Sequence, residues 1–301
     1  MQMSVRHKIM SYERKKSLIG YVFISSWIIG FFLLYLKPLV QSFVYTFHKL
    51  TVTIDGFKMD FVGIHNFHFA FYSDPDFIKN LMAALNNLLY QVPIIIVFSL
   101  IMALMLNQKF RGRMIIRAIF FLPVVIASGV VINVINGDVM STVILSGEKS
   151  SQLFNVSAFY EMLNRIGLNQ DFVNVIVSTA NNIFELSWKS GIQIVLFLAG
   201  LQVVSPSLYE AASIDGGTKW EVFWFVTFPM LTPILIVTAV YTIIDNFTDF
   251  SNPVMKSILQ YGSKLNFAYS STLAWIYFAV IGIILTIVFL IFNRFIIYTD
   301  E

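Results

Sequence analysis

The chain has 301 residues, 57% of them hydrophobic and only 12% charged, with a net charge of +3 and a mean hydropathy of +0.75. Soluble domains carry about 25% charged residues, so roughly half of the usual polar coat is missing; this excludes a soluble enzyme, a disordered regulator and a fibrous protein, and leaves an integral membrane protein. The small net charge offers no basic field for nucleic acid, and the absence of cysteine excludes disulfide scaffolds, zinc–cysteine sites and thiol chemistry.

In chain order, six segments reach the length of about 20 apolar residues that a helix needs to cross the hydrocarbon core: 18–47, 86–107, 115–136, 178–204, 229–248 and 270–293. The first begins after Lys16 and runs past the length of a signal-peptide core with no A-x-A-like cleavage site behind it, so it reads as a retained span. The fourth is the least clean. Asn174, Asn181, Asn182 and Glu185 interrupt Phe172–Ser187, which fits an amphipathic helix on the outer surface leading into the span. Thirty Phe and thirteen Tyr suit lipid contact and interfacial anchoring.

Basic residues set the orientation. Arg6, Lys8, Arg14, Lys15 and Lys16 precede the first span, and Lys109, Arg111, Arg113 and Arg117 crowd the short loop after the second. The longer loops on the other side carry Asp55, Asp60, Asp74, Asp76, Asp138, Glu148, Glu161 and Asp171. Short basic loops stay inside, so both termini are expected in the cytoplasm. The expectation is therefore an all-α membrane protein with a cytoplasmic segment at 1–17 and one transmembrane domain at 18–301. The outer segments 48–85 and 137–177 are too small for separate domains.

One inside loop breaks the basic pattern: 205–229, SPSLYEAASIDGGTKWEVFWFVTFP. Ser207-Leu208-Tyr209-Glu210 fits a capping box, with Ser205 as an alternative N-cap and Pro206 tolerated at the helix start. Gly216-Gly217 stops this helix, and Thr218-Lys219-Trp220-Glu221 forms a second capping box. Small Ala211 and Ala212 allow close approach of a partner, and Glu210 offers a charge for docking. Capping alone favours a connector lying flat on the membrane, anchored by Trp220 and Trp224.

The segment resembles the E-A-A-x-x-x-G…I-x-L-P loop of binding-protein-dependent ABC importer permeases. Glu210, Ala211, Ala212 and Gly216 match it, Asp215 gives the frequent I-D-G form, and Val226, Phe228 and Pro229 stand at the I, L and P positions. LIGYVFISSWIIGFFLLYLKPLVQSF, FVGIHNF, LNNLLYQVPIIIVFSLIMALMLNQKFRGRMIIRAIFFLPVVI and FLAGLQVVSPSLYEAASIDGG extend the likeness, in order, over most of the chain. The whole is similar to the maltose-type (type I) carbohydrate importer permeases. That resemblance implies a bacterial plasma-membrane, multi-pass subunit paired with a second homologous permease, two ATPase subunits and an extracellular solute-binding protein. It makes Glu210, Ala211, Ala212, Asp215 and Gly216 the coupling helix seated in an ATPase subunit, where closure of the ATPase pair switches the cavity between outward and inward access. The solute-binding protein is expected on segments 48–85 and 137–177.

The chain has no G-x-x-x-x-G-K-[ST] phosphate loop, so no cofactor is expected on it and ATP-Mg belongs to the partner ATPases. Its four histidines lie outside the spans, leaving little room for intramembrane hydrolytic chemistry. A secondary transporter would need buried coupling groups. The few intramembrane charges are Lys37, which can snorkel, the i,i+4 pair Glu185 and Lys189, and Asp245, which either lines the cavity or caps the helix end. Sugar recognition combines hydroxyl-pairing groups with aromatic faces. The candidates are Asn133, Gln193, Tyr241, Asp245, Asn246, Phe247, Asn252, Trp275 and Tyr277, each aromatic having core or lipid packing as its plainer role. After the fifth span the chain reads FTDFSNPVM where many relatives carry F-D…L-T-x-G-G-P. The reading is a permease for carbohydrate, an oligosaccharide by preference. A permease for another solute of the same superfamily and an ion-coupled transporter are the alternatives.

Overall fold

A computed structural model describes residues 12–53, 56–108, 111–127, 163, 165 and 169–293. The chain divides into two compact units, Met1–Ser73 with Tyr261–Trp275, and Asp74–Gln260 with Ile276–Glu301.

The first unit opens with α1 (Tyr12–Gly30), which continues through a π-helical turn (Phe31–Leu36) into α2 (Lys37–Tyr45). The wide turn has a local cause. Pro38 has no N–H, and its ring would collide with the carbonyl four residues back; Lys37 N–H bonds instead to Phe32, five back. Lys37 itself is exposed. A hairpin follows, β1 (His48–Thr53) antiparallel to β2 (Gly56–Phe61), with His48 opposite Phe61 and Lys49 opposite Asp60. This corrects the all-α expectation. The Thr51-Val52-Thr53 run favours extended backbone.

The FVGIHNF segment closes the hairpin onto the end of α2. Val62 N–H bonds Phe47 O (2.9 Å), Gly63 takes φ +58, and the Asn66 amide donates to the carbonyls of Thr46 and His48 (2.9 and 3.0 Å). The short α3 (His65–His68) and a second π turn (Phe69–Ser73) complete this stretch. The start of the last helix also belongs to this unit: Trp275 Nε1 donates to Ser42 Oγ (3.2 Å), and its ring meets Phe43 edge-on.

The second unit begins at α4 (Pro75–Asn107), eleven residues before the expected span. Asp74 caps it, accepting from the N–H groups of Asp76 and Phe77 (3.0 and 3.2 Å), with Pro75 in the first turn. Phe77, Leu81, Ala84, Leu88, Val92, Ile95, Ser99, Ala103 and Leu106 recur every three or four residues and are buried, so one stripe of α4 faces the core. Next come α5 (Arg113–Ala127), α6 (Gln170–Lys189), α7 (Gly191–Val203), α8 (Pro206–Ile214) and α9 (Lys219–Val222). Then follow α10 (Phe228–Thr248), α11 (Pro253–Ser263) and α12 (Phe267–Asn293), the last two shared with the first unit.

The fourth expected span is two helices, α6 and α7, bent by 56° at Ser190. The polar residues of α6 give it an amphipathic character that α7 lacks. The core joins Ala103 and Leu106 of α4, Ile194, Phe197, Leu198 and Leu201 of α7, and Leu231 of α10. Gly200 lets α7 approach α10 closely, since a Cβ there would stand 2.8 Å from Ile234 Cγ1.

Among the described residues four helices are long and apolar enough to cross a membrane: Ile19–Tyr45, Pro75–Asn107, Lys219–Thr248 and Phe267–Phe292; the bent α6–α7 pair makes a fifth. The third expected span, 115–136, is described only as far as Ala127.

Candidate coupling loop and transport pathway

The loop at 205–229 is built from local rules. Ser205 is extended and precedes Pro206, so the chain enters α8 with Pro206 in its first turn. The N-cap is therefore Ser205, and the box at Ser207-Leu208-Tyr209-Glu210 does not form; Ser205 Oγ and Ser207 Oγ bond each other (2.8 Å). Glu210 keeps its carboxylate on the exposed surface.

Helix α8 ends in a Schellman motif. Gly216 N–H bonds Ser213 O (3.2 Å), Gly217 N–H bonds Ala212 O (2.9 Å), and Gly216 takes φ +80. Thr218 and Glu221 then form the expected reciprocal box, with Thr218 N–H donating to Glu221 Oε2 (2.7 Å) and Glu221 N–H to Thr218 Oγ1 (3.3 Å). The chain does not break at Pro229. A third π turn (Phe223–Thr227) carries α9 into α10, with Phe228 N–H bonding Phe223 O, so helix runs from Lys219 to Thr248. As at Pro38, the wider turn comes just before a proline.

Glu210, Ala211, Asp215 and Gly216 are exposed and Ala212 is half-buried. Sequence reasoning passed over Ile214, which is 86% exposed at the end of α8. Its signal was the apolar residue inside S-I-D-G.

The second polar region lies where α4, α6, α7 and α10 meet. Gln193 is fully buried in α7. In the amide orientation that satisfies both ends, it donates to the carbonyls of Lys189 (3.0 Å) and Ser190 (3.3 Å) at the bend and accepts from Thr242 Oγ1 (3.3 Å). Asn246 Nδ2 donates to Gln91 Oε1 (2.7 Å), and Asn252 Nδ2 donates to Asn246 O (3.4 Å) while its own oxygen caps α11 through Val254 N–H (3.0 Å). Lys189 pairs with Glu185 (2.9 Å) and with Asp249 (3.3 Å), tying the bend to the chain just past α10. Burial works to raise the Asp249 carboxyl, but the Ser251 N–H and the Lys189 ammonium hold it below its ordinary value.

Tyr241 is half-buried on α10 and Asp245 is exposed one turn later. Phe247 and Tyr277 are buried against each other, ring centroids 5.1 Å apart, with Tyr277 Oη donating to Phe247 O (3.2 Å). Trp275 belongs to the first unit, and Asn133 lies outside the described residues. Gln91 was not foreseen. Beside it, α4 and α6 enclose a cavity of about 480 Å³ lined by Tyr90, Gln91, Asn182, Glu185 and Lys189. An aromatic ring, two amides and an ion pair around one space can hydrogen-bond hydroxyls and stack on a ring. Among the described residues no cluster of metal-ligating side chains occurs.

No protein-family model matches the chain. Among known proteins, it is 28% identical over 291 residues to the arabinooligosaccharides transport system permease protein AraP of Bacillus subtilis (strain 168), covering 90% of this chain and 85% of that one. It is 30% identical over 244 residues to the lactose transport system permease protein LacF of Rhizobium radiobacter, covering 80% of this chain and 76% of that one. Its fold is similar to a chain in the crystal structure of a bacterial alginate ABC transporter in complex with an alginate pentasaccharide-bound periplasmic protein, with TM-score 0.65, 18% identity, and coverage of 94% and 96%. Identity of this extent over three quarters of a relative's length, carried on a membrane-spanning helical fold, establishes that the chain belongs to the ABC transporter permease family.

Proposed function

We propose that the chain is the membrane-spanning permease subunit of a bacterial ABC importer that takes up a carbohydrate, preferably an oligosaccharide, delivered by an extracellular solute-binding protein. The observation that carries this reading is the near full-length likeness to an arabinooligosaccharide permease. The partners are a second, homologous permease and two ATPase subunits that bind ATP-Mg. Helix α8 is the coupling helix: Glu210 supplies the docking charge, Ala211 and Ala212 the close approach, Ile214 the apolar anchor, and Asp215-Gly216 the stop. Its capped, exposed geometry supports that role, because a rigid lever is needed to pass displacement from one protein to another. The polar residues Gln193, Tyr241, Asp245, Asn246 and Asn252, with Asn133 from the third span, belong to the substrate pathway in this reading, whereas Phe247 and Tyr277 pack against each other in the core. Gln91 joins the pathway residues through its bond to Asn246.

The proposed topology has six spans and both termini in the cytoplasm. The Trp275–Ser42 and Trp275–Phe43 contacts support it. They bring the beginning of the last span to the end of the first, as six spans with both termini on one side require. The cysteine-free chain makes the check direct. In intact cells a membrane-impermeant thiol reagent should label Thr51→Cys and leave Ser4→Cys and Thr299→Cys unlabelled; labelling of either terminus from outside overturns the orientation.

Substrate class is tested by reconstituting the four-subunit assembly and screening the solute-binding protein of the same system against sugars of increasing length. ATP-dependent uptake of an oligosaccharide that requires the binding protein is the expected result. Uptake by this chain alone, driven by an ion gradient, would establish a secondary transporter instead.

A further inference from the structure

Three ionised side chains meet at the bend between α6 and α7, beside the cavity of about 480 Å³ that α4 and α6 enclose. Lys189 ends α6, Glu185 stands one turn before it, and Asp249 directly follows α10. The ammonium pairs with both carboxylates, at 2.9 and 3.3 Å, so two negative charges meet one positive and the cluster keeps an excess negative charge. Exposure decides which charge an entering molecule meets. The Lys189 side chain is only 22% exposed, drawn back between its partners, whereas that of Glu185 is 48% exposed on the cavity wall. Among the described residues lining the cavity Lys189 is the only cation, and it is already outnumbered.

The rest of the wall is uncharged. Gln91 and Asn182 bring amides, Tyr90 a phenol ring, and Ile94 and Ile95 an apolar strip. Amides donate and accept, so they pair with sugar hydroxyls in either sense, while an ionised carboxylate only accepts. A hydroxyl can therefore donate to Glu185, but a sugar carboxylate or phosphate cannot, and is repelled. To hold such an anion the wall would have to offer Lys189, which breaks an ion pair and leaves one of its carboxylates uncompensated. Stability does not explain the surplus charge. Asp249 alone ties Lys189 to the chain beyond α10, whereas Glu185 lies on the same helix as Lys189, and an i,i+4 pair adds little to a fold.

We propose that Glu185, with Lys189 and Asp249 behind it, is an electrostatic filter that admits uncharged sugars and rejects those bearing a carboxylate or phosphate. The inference rests on the import reading and narrows it, since the substrate class becomes a neutral oligosaccharide. In the proposed topology α7 ends at the inner loop, so the bend at its start lies toward the outer end of the pathway. A sugar handed over by the binding protein meets Glu185 early, before the span commits to transport. The apolar strip opposite keeps the field of the carboxylate from being screened as it would be in open solvent.

The test uses the assembled transporter in proteoliposomes, with ATP inside and the binding protein of the same system outside. Arabinotriose and maltotriose are compared with their aldonates, the same sugars with the reducing end oxidised to a carboxylate, each at a concentration that saturates the binding protein. The readout is the ratio of aldonate to neutral uptake within one assembly, so a general loss of activity cancels and the preference of the binding protein is common to all variants. Wild type should give a ratio of about one tenth or less. Glu185→Gln, which keeps the shape and leaves Lys189 with a single carboxylate, should raise the ratio about fivefold or more, and less so in high salt. Glu185→Gln/Lys189→Gln, which removes the cation as well, should return the ratio to the wild-type value. Asp171→Asn, the same change of charge about 21 Å away along α6, is the control and should leave the ratio where it was. A wild-type ratio near one, an unchanged ratio in Glu185→Gln, or an equal rise in Asp171→Asn overturns the filter and leaves import in place. ATP-driven uptake of neither neutral sugar by the wild-type assembly removes the oligosaccharide reading itself, and the filter with it.

Discussion

Glu210→Lys is expected to abolish coupled uptake while leaving insertion of the chain in the membrane intact. Glu210 is exposed on a helix whose two ends are fixed by Pro206 and by the Gly216 turn, so its replacement disturbs no internal contact of the fold. The cost falls on docking. Truncating or reversing one side of a docked, desolvated charge pair costs about 2–5 kcal/mol, and 2 kcal/mol is already roughly thirtyfold in affinity. Co-purification of the ATPase subunits should fall by at least that factor, sugar uptake should be lost, and yield from the membrane should match wild type. Glu210→Gln, which keeps the shape and the hydrogen-bonding oxygen, should retain part of both. Ile214→Asp should weaken assembly as well, because it removes an aliphatic group that is 86% exposed in the isolated chain and hence available to a partner. Normal uptake with Glu210→Lys would refute the coupling assignment.

Gly216→Val is the second large effect. The φ of +80 lies where a β-branched side chain is strongly disfavoured, and strain of about 1–3 kcal/mol is expected on the turn. The chain can relieve it only by giving up the left-handed residue, and with it the 6→1 and 5→2 bonds from Gly217 to Ala212 and from Gly216 to Ser213. Helix α8 then loses its fixed end and its angle to α9. A lever without a fixed end transmits little of its displacement, so ATP hydrolysis should continue with uptake reduced about tenfold or more, a loss of coupling and not of assembly. Gly216→Asn should be milder, because asparagine tolerates the left-handed region. Gly217→Ala has a different difficulty: its backbone is not left-handed, but the new Cβ would stand 3.0 Å from Ala212 O. Equal coupling ratios in Gly216→Val, Gly216→Asn and wild type would show that the turn carries no mechanical load.

The loop was legible because everything that shapes it lies within a few residues. Gly216, the Thr218–Glu221 box and Pro206 act through local bonds, and only the choice between Ser205 and Ser207 as the cap awaited the structure. There Pro206 decided it, because a proline in the first helical turn leaves the residue before it extended. The β-branched run Thr51-Val52-Thr53 could have revealed the hairpin, but hydropathy reasoning at a span-length window averages over six-residue strands. The same window hid the bend at Ser190, where Lys189, Ser190 and Gly191 occupy only three positions in a long apolar run. Asn252-Pro253 was likewise a cap and first turn for α11 in plain view.

The substrate pathway was legible only as a list of suitable side chains. Phe247 and Tyr277 had the right chemistry for stacking, yet the structure packs them against each other in the core. Gln91 had no distinguishing feature in sequence; its importance comes from Asn246, 155 residues away.

The amino-acid sequence by itself determined that this chain lives in a membrane, which loops are basic, and where the short helix α8 begins and ends. Those properties come from composition and from interactions between near neighbours, and both are readable along one dimension. Only the tertiary structure decided which polar groups share a space: Gln91 with Asn246, and Lys189 with Asp249. The strength of a charge or an amide depends on what stands a few ångströms from it, and that distance is set by helix packing between residues far apart in the chain. The scarce charge that marked the chain as a membrane protein thus acquired its separate tasks only when folding brought its bearers together.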